Sequence, residues 1–209
     1  MAIITALRLG KGRNKKANVS LDGKLALNLE PEVALKEGLK VGQELSASRI
    51  EALVKTNRQQ SCYDAALKSL GYRPRSEYET RQRLYQRGFD NNSIKAALSR
   101  LKEQNLINDG DFARFWRDNR QSFSPRSQWL TRLELKQKRV PDEIIEQVVS
   151  TIDDVNNAYS VAVVKARNLT QCDYQSFRRR LGDHLKRRGF GYGIIIKTVE
   201  QLWQERGVA

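Results

Sequence analysis

The stretch RSEYETRQRLYQRGF, residues 75–89, decides the fold because its apolar spacing returns twice further along the chain. A leucine lies five residues before Phe89, and apolar residues follow Phe89 at offsets of +5, +9 and +12. The same offsets hold from Val140 and from Phe190, with 51 and 50 residues between successive origins. The residues that share this pattern are Leu84, Ile94, Leu98 and Leu101, then Leu135, Ile145, Val149 and Ile152, then Leu185, Ile195, Val199 and Leu202. A period of about 50 residues is typical of repeats built from two or three helices.

Each copy of the pattern predicts a helix, a short turn and a second helix. Ser76 followed by Glu79 is a capping-box signature for the first of these helices. Gly88 and Gly189 lie where a helix needs a left-handed C-terminal cap, whereas the second copy has Arg139 there, so its turn could differ. The three offsets place apolar side chains on one face of the second helix. A further helix is predicted ahead of each pair, over Tyr63–Leu70, Phe112–Trp116 and Ala158–Leu169.

The N-terminal part of the chain has a different pattern, with short segments of partial apolar alternation and a hairpin signal at Asp22-Gly23. It predicts a three-stranded sheet over Ile3–Leu9, Ala17–Leu21 and Leu25–Leu29. Gly10–Lys16 is basic and contains glycine, so we expect a mobile, solvated connector there in preference to a phosphate-binding loop. A short helix opened by Pro31 and a longer one with Ser46 as its N-cap should follow.

The predicted fold class is therefore mainly α, an elongated tandem of three three-helix repeats preceded by a small N-terminal β region. The predicted boundaries are residues 1–46 for the β region, 47–61 for a connecting helix, and 62–107, 108–152 and 153–209 for the three repeats. Because no long Pro- or Gly-rich linker separates these parts, we expect rigid attachment, with a hinge near Gln59-Gln60-Ser61 as the alternative.

Two motifs and the 50-residue period together resemble the RecX family of recombination regulators. One motif is the RSEYE…L…RGF run, and the other is LKEQNLINDGDFARFWRDNR, residues 101–120, similar to the family's run of Leu, an acidic or amide pair and Phe-Ala before a basic helix. The resemblance covers Tyr63 to about Trp203 and departs from the family at Asn108, where a second acidic residue is more usual. It implies a protein that binds the RecA filament and restrains its ATPase, strand-exchange and coprotease activities.

The composition predicts a partner with negative charge. The formal net charge is +14, with 39% hydrophobic and 30% charged residues among 209. Such an excess favours phosphate backbones or an acidic protein groove. No apolar run approaches a membrane span and the first residues lack the shape of a signal peptide, so a cytoplasmic protein without membrane contact is expected. Cys62 and Cys172 are then expected to be reduced, half-buried thiols.

The residue types needed for catalysis do not converge in the sequence, which predicts a protein that is not an enzyme and has no cofactor or metal. The only histidine, His184, lies in an Arg- and Lys-rich helix and is expected to be a neutral surface side chain. Asp109 and Asp153 are expected to be helix N-caps in preference to metal ligands. A DNA-processing enzyme stays open as an alternative only if distant carboxylates meet in the fold.

Basic residues on the middle helix of each repeat are the candidate contacts. In the third repeat the stripe of Tyr174, Phe177, Leu181 and Leu185 should face the core, so the cations there should project outward. The candidates are Arg73, Arg75, Arg81, Arg83 and Arg87 in the first repeat, Arg126, Arg132 and Lys136 in the second, and Arg178, Arg179, Arg180, Lys186, Arg187 and Arg188 in the third. The alternative is that these cations only keep the helices soluble.

The predicted partner is the RecA filament, bound by a monomer, with single- or double-stranded DNA as the second candidate. Trp116 and Trp129 could stack on bases as aromatic residues do in single-strand binders, but their positions favour packing in the core. For Trp203 the sequence leaves both interpretations open.

Overall fold

The computed structural model describes residues 1–10 and 15–207, and it confirms a mainly helical chain with a small N-terminal antiparallel sheet. The strands are β1 (Ala2–Leu9), β2 (Ala17–Leu21), β3 (Lys24–Leu29) and β4 (Glu44–Leu45). The helices are α1 (Pro31–Lys36), α2 (Ala47–Leu70), α3 (Glu77–Gln86), α4 (Asn91–Glu103), α5 (Asp109–Phe123), α6 (Gln128–Gln137), α7 (Asp142–Val149), α8 (Asp154–Ala166), α9 (Tyr174–Arg187) and α10 (Tyr192–Gly207). Two compact units form, Met1–Arg73 with Glu79–Ile107, and Pro74–Tyr78 with Asn108–Ala209.

The sheet of the first unit has the order β3-β2-β1-β4, with antiparallel pairing throughout. Its three predicted strands are present, and Asp22 and Gly23 both have positive φ, as the predicted two-residue hairpin turn requires. The expectation of only three strands was wrong, because Glu44 and Leu45 add a fourth beside the start of β1. A two-residue strand is too short to show alternation. The predicted loop at Gly10–Lys16 includes residues 11–14, which lie outside the described residues.

Helix α2 connects the sheet to the first repeat. It begins at Ser46, whose hydroxyl accepts the predicted hydrogen bond from the backbone N–H of Arg49 at 3.2 Å. The prediction of two separate helices here was wrong, because α2 runs without a break through the suggested hinge at residues 59–61. No Gly or Pro interrupts its 24 residues, so the backbone hydrogen bonds of the helix continue along its whole length. Leu53 packs in the sheet core while Cys62 and Tyr63 pack in the core of the first repeat.

Each predicted repeat has a hydrophobic core of its own. The first is formed by the second half of α2 with α3 and α4, the second by α5, α6 and α7, and the third by α8, α9 and α10. Leu84, Leu135 and Leu185 occupy the same place in each core and expose at most 1% of their surface. The apolar residues at the three offsets are likewise buried in every repeat, except that Ile195 is half-buried. The predicted periodicity is thereby confirmed.

The turn after the middle helix has one shape in all three repeats. Gly88, Arg139 and Gly189 have φ values of +81°, +56° and +85°. The residue after each of them donates its N–H to the carbonyl of the repeat's buried leucine, at 3.3, 3.2 and 3.3 Å. The suggestion that the second turn could differ was therefore wrong. These hydrogen bonds and the packing of Val140 hold Arg139 left-handed, at a cost of about 1–2 kcal/mol for a residue with a Cβ.

The two predicted aspartate caps have different outcomes. Asp153 is the N-cap of α8, where its carboxylate accepts from the backbone N–H groups of Val155 and Asn156, both at 3.0 Å. The prediction for Asp109 was wrong, because Asn108 has the extended backbone of a cap and its side chain accepts from Gly110 at 2.8 Å. Asp109 is instead the first residue of α5.

Candidate partner-binding surface

The three candidate cations of the second repeat are bound to carboxylates. Arg126 is ion-paired with Glu134, which Arg120 also contacts. Arg132 forms two hydrogen bonds of 2.7 Å with Glu146, and Lys136 lies 3.2 Å from Asp142. These ion pairs connect elements of the repeat to each other, so the three candidates Arg126, Arg132 and Lys136 have intramolecular partners.

The first repeat contains both bound and exposed candidates. Arg73 is half-buried and holds Glu79 through two hydrogen bonds of 3.0 and 3.1 Å. Arg75 is half-buried as well. The exposed candidates lie on α3 or just after it, and they are Arg81, Arg83 and Arg87.

In the third repeat five of the six candidates are exposed. Phe177, Leu181 and Leu185 face the core of the repeat, as the stripe predicts, and this turns the basic residues of α9 outward. Tyr174, the fourth residue of the predicted stripe, is instead 36% exposed. We call Arg178, Arg179, Arg180, Lys186 and Arg187 the α9 cation surface; all five are exposed. Across residues 1–10 and 15–207, no carboxylate oxygen lies within 4 Å of any of their charged nitrogens. Their charge is therefore available to a partner.

Arg188, the sixth candidate of this repeat, has a packing role. It is half-buried, and its guanidinium donates to the hydroxyl of Ser124 at 2.9 Å and to the carbonyl of Pro125 at 3.3 Å. It also donates to Nε2 of His184 at 3.2 Å, and its own carbonyl accepts from the N–H of Ser127. Arg188 thus fastens the end of α9 to the segment before α6.

His184 is half-buried, so the expectation of a surface side chain was wrong. Burial lowers its pKa below the usual value of 6.5, and the charges of Arg188, Lys165 and Arg187 lower the pKa further. The hydrogen bond from Arg188 also requires an unprotonated Nε2, which explains why the neutral form is preferred.

The lowered pKa predicts a loss of stability in acid. Because the unfolded chain binds the His184 proton more tightly than the folded chain, this residue's contribution is complete above about pH 6.5 and declines as pH falls below it. We expect the difference in unfolding free energy between about pH 8 and about pH 5 to shrink in His184→Gln, measured by urea denaturation. An equal pH dependence in both proteins would contradict the lowered pKa.

At two equivalent places in the second unit, a backbone N–H at the start of one helix is hydrogen-bonded to an aspartate of another helix. We call each of these contacts between helix ends a joint. Beside the second repeat, the N–H of Glu77 donates to the carboxylate of Asp109 at 2.9 Å, and the Ser76 hydroxyl donates to the carbonyl of Lys138 at 2.9 Å. At the equivalent place in the next repeat, the N–H of Gln128 donates to Asp154 at 2.7 Å. Asp109 and Asp154 are thus joint residues, and burial raises the pKa of Asp154.

The comparisons with known proteins agree with this architecture. Residues 62–101 match the family model of the RecX first three-helix domain, and residues 108–149 match that of the RecX second three-helix domain. The chain is 32% identical over 207 residues to a regulatory protein RecX of Clostridium botulinum (strain Alaska E43), which covers 96% of both chains. The chain belongs to the RecX family. A second regulatory protein RecX, from Chlorobaculum tepidum, is 35% identical over 71% of this chain and 92% of its own length.

Solved structures of RecX proteins share the fold. A crystal structure of regulatory protein RecX superimposes with a TM-score of 0.71 and covers 93% of this chain and 97% of its own, at 21% identity. The structure of RecX from Lactobacillus salivarius gives a TM-score of 0.61 over 70% of this chain and 97% of its own, at 23% identity. The two matched RecX domains correspond to the first and second repeats, and the third repeat follows them.

The tryptophans of this RecX family member have three different surroundings. Trp116 is half-buried on Phe112, with ring centroids 5.8 Å apart, which agrees with its predicted packing. The core position predicted for Trp129 was wrong, because 59% of its surface is exposed beside the joint. Trp203 packs against Tyr174 and Phe177, each at 5.3 Å, so the question left open by the sequence is answered in favour of packing.

The described residues contain no group of three or more His, Cys, Asp or Glu side chains that could hold a metal ion. Cys62 is fully buried, not half-buried as expected, and burial raises the pKa of its thiol to about 11. Cys172 is half-buried, and both thiols are free. None of the described helices combines the length and the apolar character that crossing a membrane requires.

Proposed function

We propose that this chain binds the RecA recombinase filament as a non-enzymatic regulator and restrains its ATPase, strand-exchange and coprotease activities. The α9 cation surface is the observation that carries the proposal, since its five charges have no carboxylate partner among the described residues. Membership in a family of regulatory proteins supports it. A chain of tandem repeats suits a filament whose successive subunits present the same surface many times, because modest contacts then add through avidity.

The direct test is to titrate the protein into RecA assembled on single-stranded DNA and to follow ATP hydrolysis and strand exchange. Both rates should fall as the protein saturates the filament. Unchanged rates at saturation would refute the proposed function.

The second candidate is a DNA-binding repeat protein that affects recombination by competing for DNA. The net charge of +14 favours it, because cations that neutralise phosphates release counterions. In that case affinity for free DNA should match or exceed affinity for the filament and should fall steeply with salt. Weak binding to free DNA beside strong binding to the filament would favour the regulator.

Charge reversal on α9 should weaken binding without unfolding the protein. We expect the triple variant Arg178→Glu, Arg179→Glu, Arg180→Glu to lose about tenfold or more in filament affinity, because three exposed attractive charges become repulsive. Fluorescence anisotropy with labelled filaments measures the affinity, and circular dichroism checks the fold.

A matched control separates the site from the net charge. Lys24, Lys36 and Lys40 are exposed residues of the first unit, and changing all three to Glu gives the same change in formal charge. The control should bind almost as well as the wild type. Equal losses in both variants would show that overall charge, not the α9 cation surface, governs binding.

A further inference from the structure

The third repeat has a groove between α9 and α10 with a volume of about 650 Å³. Gly182 of α9 and the aliphatic residues Ile195, Ile196 and Val199 of α10 line the groove, and we call these four residues its aliphatic floor; Phe190 lines it as well. Three members of the α9 cation surface also line the groove, and we call them its rim cations: Arg178, Arg179 and Lys186. Tyr174 and Tyr192 also line the groove, and the Tyr192 side chain is 72% exposed.

The second repeat shows why this groove is open. In the second repeat, Arg132 of α6 and Glu146 of α7 form a bidentate ion pair that links the two helices, with both hydrogen bonds at 2.7 Å. The third repeat has Gly182 and Ile196 at the two equivalent positions, 50 residues later, so the bridge is absent and the aliphatic floor is uncovered.

A second replacement removes the partner of a lysine. In the second repeat Lys136 lies 3.2 Å from Asp142. Fifty residues later the lysine is kept as Lys186, but the aspartate is replaced by Tyr192. No carboxylate in the described chain lies within 4 Å of the Lys186 ammonium. The third repeat therefore lacks two ion pairs that the second repeat has. In their place it has the groove and, beside it, a lysine without a carboxylate partner among the described residues.

We propose that this groove binds an acidic peptide segment of the partner protein, with one apolar side chain of the segment inserted on the floor. The aliphatic floor removes that side chain from water, and the rim cations form charge-assisted hydrogen bonds with Asp or Glu side chains of the segment. This inference rests on the proposed function, since the partner protein is the recombinase subunit of the filament.

The lining favours a peptide over a nucleic acid. A nucleic acid carries a phosphate at every nucleotide, whereas an acidic peptide can place its carboxylates at the rim cations and its uncharged backbone elsewhere in the groove. Asp183 and Glu200 also line the groove, and their carboxylates would repel an adjacent phosphate. They can instead accept hydrogen bonds from backbone N–H groups of a peptide.

The difference between the second and third repeats suggests a variant that closes the groove and leaves every rim cation in place. In the double variant Gly182→Arg, Ile196→Glu, the ion pair of the second repeat is rebuilt across the groove, and the net charge is unchanged. A Cβ on Gly182 would meet Ile195 at 3.7 Å, an ordinary van der Waals contact, so the backbone position accepts a side chain. We expect filament affinity to fall by about tenfold or more, as when a central anchor is lost, with circular dichroism and the urea midpoint maintained.

The matched control is the reverse exchange in the second repeat, Arg132→Gly with Glu146→Ile, which should leave filament affinity close to that of the wild type. Wild-type affinity in a folded Gly182→Arg, Ile196→Glu variant would overturn the groove proposal and leave the proposed function standing. Absence of filament binding by the wild type would refute both.

Photo-crosslinking identifies the occupant independently of affinity. With p-benzoylphenylalanine in place of Tyr192, irradiation on the filament should attach this chain to a recombinase peptide rich in Asp and Glu, as read by mass spectrometry. Attachment to the DNA strand, or no attachment while the filament is bound, would overturn the proposal.

Discussion

Leu135→Ala is expected to lower the free energy of unfolding by about 2–5 kcal/mol, the range for large-to-small changes in a closed core. Leu135 exposes none of its surface and packs among Val140, Ile145 and Val149 in the core of the second repeat. Removing three carbons there leaves a cavity that the neighbouring helices α5 and α7 can fill only in part. Urea denaturation followed by tryptophan fluorescence measures the loss, since Trp116 packs against the same core.

Leu133 provides the control on the same helix, because 40% of its surface is exposed. Leu133→Ala should cost less than about 1 kcal/mol. The repeat also predicts that Leu84→Ala and Leu185→Ala fall in the same range as Leu135→Ala. A cost for Leu135→Ala no larger than that for Leu133→Ala would refute the repeat core.

Gly189→Ala is the second substitution with a large expected effect, about 2–5 kcal/mol. A Cβ at Gly189 would lie 2.6 Å from Oγ of Ser127 and 2.7 Å from Cβ of Leu130, closer than such atoms approach, so the joint between the second and third repeats must shift. Overpacking of this kind costs about 1–3 kcal/mol. The left-handed φ of +85° adds about 1–2 kcal/mol for any residue with a Cβ.

Comparison with Gly88→Ala separates the cost of the close contact at Gly189 from the cost of the left-handed backbone. Gly88 has nearly the same φ, +81°, but a Cβ there would meet nothing within 4 Å. Gly88→Ala should therefore show only the backbone cost of about 1–2 kcal/mol. Thermal and urea unfolding of both variants give the comparison, and equal losses would mean that the close approach at Gly189 does not matter.

The repeats could be predicted because their signal is local. Apolar residues at helical spacing must share a face, and a turn residue after each helix needs a left-handed backbone, whatever the rest of the chain does. Leu84, Leu135 and Leu185 were placed correctly on this basis, as were the caps at Ser46 and Asp153. The resemblance carried by residues 75–89 and 101–120 was confirmed by the relatives.

The errors came from features that depend on distant residues. β4 exists because Glu44 and Leu45 reach the backbone of β1 about 40 residues earlier, and two residues have no periodicity to detect. Trp129 was expected in a core from its position in the repeat, 51 residues after Tyr78, yet it lies exposed beside a joint. The hinge kept as an alternative near Gln59-Gln60-Ser61 does not occur, because this run contains neither Gly nor Pro and α2 continues through it.

The sequence alone does not distinguish a basic residue that is ion-paired within the fold from one that is available to a partner. The ion pairs of Arg73, Arg126, Arg132 and Lys136 and the packing role of Arg188 were missed, since partners such as Glu146 are judged only once two helices are placed side by side. One signal for the groove was present in the letters. Shifting the second repeat by 50 residues sets Arg132 and Glu146 against Gly182 and Ile196.

The amino-acid sequence by itself determined that three kindred helical repeats follow a small β region and that the chain is strongly basic, because helical periodicity and net charge need no knowledge of neighbours. Only the tertiary structure decided which cations are bound and which are available, and where a groove opens. The physical reason is that an ion pair or a groove requires side chains from separate helices to meet within a few ångströms, and that distance is set by packing.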